Sequence, residues 1–250
     1  MNGIIQNEYN LPLRVATYDV DADGDMRLSA LLRYQQEAAE RQLAAGDLGW
    51  EGLMREGMAF VTSRWHTAVT RLPRLGEDVT LCTWHRQRRG PRFFRCYEWR
   101  DAAGEVLVSG VMLFALVSVE GHRLLGGAEF DRFGLPENPT RTADCADPVH
   151  FTVPPTQPTG EYTVRRSDTD FNRHMNNTRY ADLIGDFLPE EAVGVLFADV
   201  QMYFAGETLP GETLRMSAAV ADGYVYVQGE SPRGLSFAAR LLPERDADGI

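Results

Sequence analysis

The chain has 250 residues, with 36 acidic against 25 basic and a formal net charge of −11. That balance argues against nucleic acid as the main partner, because binding a phosphate backbone needs a basic surface. All 25 basic residues are arginine, which excludes Schiff-base lysines, lysine general bases and P-loop chemistry.

A chain of this length buries a core without disulfide or metal staples. Cys82, Cys96 and Cys145 are odd in number and lack CxxC spacing, so neither a disulfide framework nor a metal site is expected. No GxGxxG follows a strand-like run, and no cofactor is expected. The start, MNGIIQNEYNLPL, lacks the basic and apolar pattern of a signal peptide. The longest apolar run, Val106–Val119, is too short to cross a bilayer. The expectation is a soluble cytoplasmic protein with no membrane partner.

In chain order, a short strand over Arg14–Val20 precedes a helix over Leu28–Ala45. Leu28, Leu31, Leu32, Ala38, Ala39 and Leu43 give the helix an apolar face, and Gly46 reads as its cap. Strands rich in Val, Thr, Phe, Tyr and Trp follow at Ala59–Leu72, Asp78–Arg86, Arg92–Arg100 and Glu105–Val119. Six of the 13 prolines fall between Pro136 and Pro158, which marks a linker. Beyond it the order repeats. A strand over Tyr162–Arg166 leads to a helix over Asn177–Leu188, whose Tyr180, Leu183, Ile184, Phe187 and Leu188 form one buried stripe before Pro189. Strands follow near Val195–Ala205, Thr213–Val220, Tyr224–Gly229 and Leu235–Leu242.

This repetition predicts an α+β protein of two similar units, each an antiparallel sheet wrapped around one helix. The units are residues 1–135 and 159–250, with 136–158 as the linker. Arg33-Tyr34 echoes Arg179-Tyr180, and Pro73-Arg74-Leu75-Gly76-Glu77 echoes Pro210-Gly211-Glu212. Aligning the tyrosines places Met26 and Leu28 opposite Asn172 and His174.

The chemically informative segment is RSDTDFNRHMNNTRY, residues 166–180, at the start of the second helix. Taken singly, Asp170, Asn172 and Asn177 read as turn and cap residues. Together they place a carboxylate, amides and an imidazole beside the free N–H groups of a helix start, which suits orienting water and stabilising developing negative charge. Asp19-Val-Asp21-Ala-Asp23-Gly24 begins like a calcium loop, but Ala30 stands where the bidentate glutamate belongs, so it reads as a carboxylate-rich turn. His66, His85, His122 and His150 have no ligand spacing and read as structural or surface residues.

The pattern D-x-D-x-N-x-H-x-N-N-x-x-Y, which begins at Asp168 and in which Asp170, Asn172, His174, Asn176, Asn177 and Tyr180 fall in register, resembles the acyl-acyl carrier protein thioesterases. The likeness extends over nearly the whole chain, including LLRYQQEAAERQLAAGDLGW and the stretch Ala59–Arg86 with Thr62, Arg64, Pro73, Gly76, Thr83 and Trp84. It implies tandem hotdog domains with the catalytic motif in the second, and hydrolysis of fatty acyl thioesters on acyl carrier protein. It further implies a fourth functional residue at Glu207, where FAGETLPG matches the family's segment after the second helix. Plant members carry a cysteine after this glutamate; here Thr208 follows, so a cysteine nucleophile is not expected. Asp170, Asn172, His174 and Glu207 are thus the expected catalytic set. Glu207 or Asp170 would be the general base, or Asp170 a nucleophile through an anhydride; Asn172 and His174 would orient base or water. The first domain would be a non-catalytic partner that builds the pocket.

Asn176 and Asn177 are expected near the substrate. Arg86, Arg88, Arg89 and Arg92 surround Gly90-Pro91, and read either as a solvated hairpin or as a dock for the acidic carrier protein. The alternatives are an acyl-CoA thioesterase and a non-enzymatic fatty-acyl-binding protein. The two domains could complete each other, or such units could pair again as a homodimer.

Overall fold

The structure, a computed structural model, describes residues 5–244. The elements are β1 (Tyr9–Arg14), α1 (Leu28–Ala44), α2 (Trp50–Arg55), β2 (Met58–Val69), β3 (Asp78–His85), β4 (Arg92–Arg100), β5 (Val106–Ser118), α3 (Ala128–Asp131), β6 (Gln157–Thr163), α4 (Asn177–Asp186), β7 (Phe197–Phe204), β8 (Thr213–Ala221), β9 (Tyr224–Ser231) and β10 (Gly234–Pro243). The ten strands form one sheet in the order β1-β3-β4-β5-β2-β7-β10-β9-β8-β6. That order reads the same in both halves from the centre outward: β2, β5, β4, β3, β1 on one side and β7, β10, β9, β8, β6 on the other. The halves join where β2 pairs antiparallel with β7, Trp65 opposite Met202.

α1 contains no β-branched residue and so loses no helix propensity to side-chain stiffness. Its Ala30, Leu31, Leu32 and Ala38 share one core with Tyr180, Ala181, Leu183 and Ile184 of α4. Trp65, Trp99, Met112, Met202 and Phe237 supply the sheet side of that core. The two helices also pack on each other, so the tandem hotdog arrangement has a single continuous interior. A satellite cluster gathers Leu43, Leu48, Leu53, Phe93, Leu116 and Phe130 around the end of α1 and α2.

Several expectations shift. The predicted strands Arg14–Val20 and Tyr162–Arg166 lie instead at Tyr9–Arg14 and Gln157–Thr163. These are the two edge strands, where Pro12 and Pro158 are tolerated because one side of the backbone needs no ladder partner. The cap of α1 is Ala45 rather than Gly46, and the left-handed residue is Asp47, with φ 62°. α2 and α3 are too short to show a helical stripe.

The two halves also superpose in a register three residues away from the tyrosine echo. α1 and α4 begin at Leu28 and Asn177, and the β-bridges Val20–Met26 and Thr169–Met175 match. Asp21, Asp23 and Asp25, not Met26 and Leu28, therefore set the correspondence: Asp21 stands opposite Asp170, Asp23 opposite Asn172 and Asp25 opposite His174. The backbone agrees. Asp23 N donates to Asp21 Oδ1 at 3.0 Å and Asn172 N to Asp170 Oδ1 at 2.9 Å. Gly24 and Arg173, at equivalent positions, both have positive φ, 82° and 66°.

The proline-rich segment lies along the helix-free face of the sheet. The Arg141 guanidinium sits 3.7 Å from the Trp84 ring centroid, and Trp84 Nε1 donates to Arg141 O at 3.2 Å. Ala143 is buried with Cys82, Trp84, Phe94, Cys96, Val111 and Leu113. His66 holds Ala146 O with Nδ1 at 2.8 Å and Asp199 Oδ2 with Nε2 at 2.5 Å. His150 stacks on Tyr203.

Candidate active site

Asp168 roots the loop before α4. It is 3% exposed. Its Oδ2 accepts from Tyr162 OH and Arg165 N, both at 2.8 Å, and its Oδ1 accepts from Arg179 Nε at 3.1 Å. A buried carboxylate with three donors fixes the strand before the loop and the helix after it. Asp168 opens the motif but was not among the expected site residues.

From that root the chain turns back on itself. Asp170 N donates to His174 O at 3.2 Å, and Arg173 N to Asp170 O at 3.0 Å. The Asp170 carboxylate is held at both oxygens, Oδ1 by Asn172 N at 2.9 Å and Oδ2 by Asn176 Nδ2 at 3.2 Å. Asn176 is also the N-cap of α4, its Oδ1 accepting from Thr178 N at 2.9 Å. One amide thus orients both the helix start and the carboxylate. Asn172 is exposed, and Asn177 opens α4.

His174 is half-buried, and its Nδ1 lies 3.2 Å from Met175 O. A carbonyl only accepts, so in this contact Nδ1 carries the proton. Nε2 then points at Glu207, 3.9 Å from Oε1. That gap is longer than a hydrogen bond. The structure therefore brings His174 and Glu207 together, with Asp170 tied to the same loop.

Glu207 itself is exposed; the turn beneath it is not free. Thr208 O accepts from Met175 N at 2.8 Å. Thr208 Oγ1 accepts from Tyr180 OH at 2.9 Å and donates to Ser236 Oγ at 3.0 Å. Burial pushes the Tyr180 phenol up; the Thr208 hydroxyl opposes that, and the charges of Glu207 and Glu212 add to it. Arg233 donates to Glu207 O at 2.6 Å and pairs with Glu212, whose Oε2 accepts from Leu209 N at 2.7 Å. Tyr180 belongs to the motif; the bracing parts of Thr208, Ser236, Arg233 and Glu212 were not expected from sequence, because each acts through a hydrogen bond made only in the fold.

In the first half, Asp25 replaces His174, and Leu72 occupies the position of Glu207, with Gly76 and Glu77 matching Gly211 and Glu212. Val15 and Val164 make the same backbone bonds to those turns. The imidazole and the opposed carboxylate are present in the second half alone.

The arginine run is largely engaged within the chain. Arg86 and Arg89 both pair with Asp147, and Arg88 forks onto Asp131 at 2.6 and 2.7 Å. Among the described residues Arg92 makes no ion pair. Two carboxylates, Asp147 of the segment that crosses the sheet and Asp131 of α3, thus offset part of the charge of this hairpin.

Two family models match the chain: acyl-ACP thioesterase N-terminal domain over residues 6–126, and acyl-ACP thioesterase C-terminal domain over residues 155–234. A chloroplastic dodecanoyl-[acyl-carrier-protein] hydrolase of Cinnamomum camphora is 24% identical over 198 residues, 70% of this chain and 50% of its own length. A chloroplastic palmitoyl-acyl carrier protein thioesterase of Arabidopsis thaliana is 23% identical over 199 residues, 73% of this chain and 47% of its own. The chain spans about half the length of the curated relatives it matches. Among solved structures, an acyl-ACP thioesterase from Bacteroides thetaiotaomicron superposes with a TM-score of 0.86 at 18% identity, covering 95% of this chain and 98% of that one. The 12:0-ACP thioesterase from Umbellularia californica gives 0.79 at 21%, covering 97% and 100%. These structures share the fold.

Proposed function

The chain belongs to the acyl-ACP thioesterase family, and from that premise we propose that it hydrolyses fatty acyl-acyl carrier protein in the cytoplasm, releasing free fatty acid and ending chain growth. The observation that carries this reading is the convergence of His174 and Glu207 from two separate segments, over a loop whose Asp170 is oriented at both oxygens. Water would attack the thioester carbonyl and lose a proton to Glu207. The C–S bond breaks, and the phosphopantetheine thiolate takes up a proton.

We assign the general base to Glu207 because it is exposed and faces the imidazole, whereas each Asp170 oxygen already holds a donor. His174 and Asn172 orient the base and water, and Asp170 orders the loop. The start of α4 at Asn177 offers N–H groups and a positive dipole end for the oxyanion, with Asn176 fixing its direction. The first domain (1–135) is the non-catalytic pocket builder, 136–158 the connection, and 159–250 the catalytic domain. In support, the first half lacks the imidazole and the opposed carboxylate, while Trp50 from that half reaches the candidate loop. Arg92, with the outer faces of Arg86, Arg88 and Arg89, would meet the acidic carrier protein.

The test is free fatty acid release from acyl-acyl carrier proteins of varied chain length, beside the matching acyl-CoAs. Faster release from the carrier protein, lost in His174→Ala, is the expected result. Hydrolysis of CoA esters alone would keep the chemistry and replace the partner. Tight acyl binding without hydrolysis would mark a binding protein.

A further inference from the structure

The internal symmetry isolates one feature that the fold itself does not require. Tyr180, Thr208 and Ser236 are 2%, 0% and 1% exposed, and their hydroxyls form the chain described above. Each has a counterpart in the first half with the same backbone role. Leu31 stands in α1 where Tyr180 stands in α4. Pro73 O accepts from Met26 N at 2.8 Å, as Thr208 O accepts from Met175 N at 2.8 Å. Leu107 O accepts from Thr70 N and Arg71 N, as Ser236 O accepts from Ala205 N and Gly206 N. The backbone is the same, but three buried hydroxyls replace three buried apolar side chains.

Burying a hydroxyl is unfavourable unless it is hydrogen-bonded, and a satisfied network specifies one geometry where an apolar contact permits several. The first half shows that apolar residues fill this place. The hydroxyls occur in the half where the preceding residue is Glu207 rather than Leu72. Thr208 lies between the two candidate groups: its carbonyl is tied to the residue after His174, its hydroxyl to α4, and its nitrogen follows Glu207.

We propose that Tyr180, Thr208 and Ser236 are positioning residues that set Glu207 against His174, a role that rests on the thioesterase reading above. None touches the reacting atoms. They hold the turn in the register that brings the carboxylate toward the imidazole.

The test is Thr208→Val, which keeps shape and removes the hydroxyl, with Thr208→Ser as the conservative rescue and Ser236→Ala as a milder break in the same chain. With acyl-acyl carrier protein, Thr208→Val should lower kcat by about tenfold or more, since small misplacements of reacting groups cost rate steeply. KM should stay within about twofold, and Thr208→Ser should restore kcat to within about threefold. Ser236→Ala should fall between. The ring resonances of His174 in NMR spectra should move in Thr208→Val and return in Thr208→Ser. Wild-type kcat in Thr208→Val would overturn the inference. So would a loss matched by a fall in thermal midpoint and not rescued by serine. Inactivity of the unmodified protein on every acyl thioester would instead reject the thioesterase reading; the His174 resonances then decide the inference, and unchanged resonances overturn it.

Discussion

The indole of Trp50, at the start of α2 in the first half, meets the ring of Phe171, inside the candidate loop of the second, with centroids 4.5 Å apart and planes at 61°. Phe171 follows Asp170 directly and is 61% exposed. Its aromatic partner therefore comes from the first half. Glu40 near the end of α1 accepts from Trp50 N at 2.8 Å, which continues the support into the long helix.

An edge-to-face aromatic pair is worth about 0.5–1.5 kcal/mol beyond its buried area. Trp50→Ala and Phe171→Ala should each lower kcat/KM for acyl-acyl carrier protein by about threefold to tenfold. The double variant should lose less than the product of the two. Fully multiplicative losses in the cycle would show that the pair is not coupled to turnover.

His174→Ala, Glu207→Gln and Asp170→Asn should each reduce kcat by about two orders of magnitude or more while the thermal midpoint stays within a few degrees. The three should combine with far less than additive loss. Single turnover in ¹⁸O-water tests the anhydride route. Label in the Asp170 carboxylate requires that route, with water attacking the Asp170 carbonyl and the fatty acid leaving with the aspartate oxygen.

His85 is fully buried, and its Nε2 faces the Arg95 guanidinium. Burial first, and the Arg95 charge second, hold the imidazole well below its ordinary value of 6.5. The folded state thus keeps His85 neutral while the unfolded chain takes up a proton below pH 6.5, so stability is full above that pH and falls as pH drops. The slope approaches about 1.4 kcal/mol per pH unit for one proton. Urea titrations between pH 7 and 5 should show it, and His85→Gln should flatten it. An unchanged slope in that variant would assign the acid sensitivity elsewhere.

Arg233 and Arg71 brace equivalent turns. Arg233 holds Glu207 O and Glu212; Arg71 holds Leu72 O at 3.4 Å and Glu77 at 2.6 Å. Arg233→Met should lower kcat by about threefold to tenfold, because it loosens the turn under the proposed base. Arg71→Met should leave kcat as it is. Equal effects of the two would reduce both arginines to general stabilisers.

Much of this architecture was legible in the residues. α1, α4 and the eight interior strands fall within a few positions of their predicted bounds, because each carries a strong local pattern: a stripe at helical spacing or a dense β-branched and aromatic run. The two edge strands were misplaced because Pro12 and Pro158 argue against strand except at a sheet edge, and edges are not visible in local pattern. The register between halves was misread for a related reason. Tyr34 and Tyr180 look alike but do different things, Tyr34 donating to Asp19 and Tyr180 to Thr208. The true correspondence runs through Asp21 and Asp170, whose shared role is a backbone turn. Asp170, His174 and Glu207 were reachable through a motif. The part Asp168 plays at the root of the loop, and those of Thr208, Ser236 and Arg233, were not, since only folding brings their partners near.

The antiparallel joint between β2 and β7 has a consequence for stoichiometry and for divergence. Two identical subunits meeting this way would have to accept every substitution twice, so a change at one site would be a change at both. Covalent linkage removes that constraint: Asp25 and Leu72 can stand where His174 and Glu207 stand in the other copy. A non-hydrolysable acyl thioester that engages the proposed site should therefore saturate at one equivalent per 250-residue chain, not two.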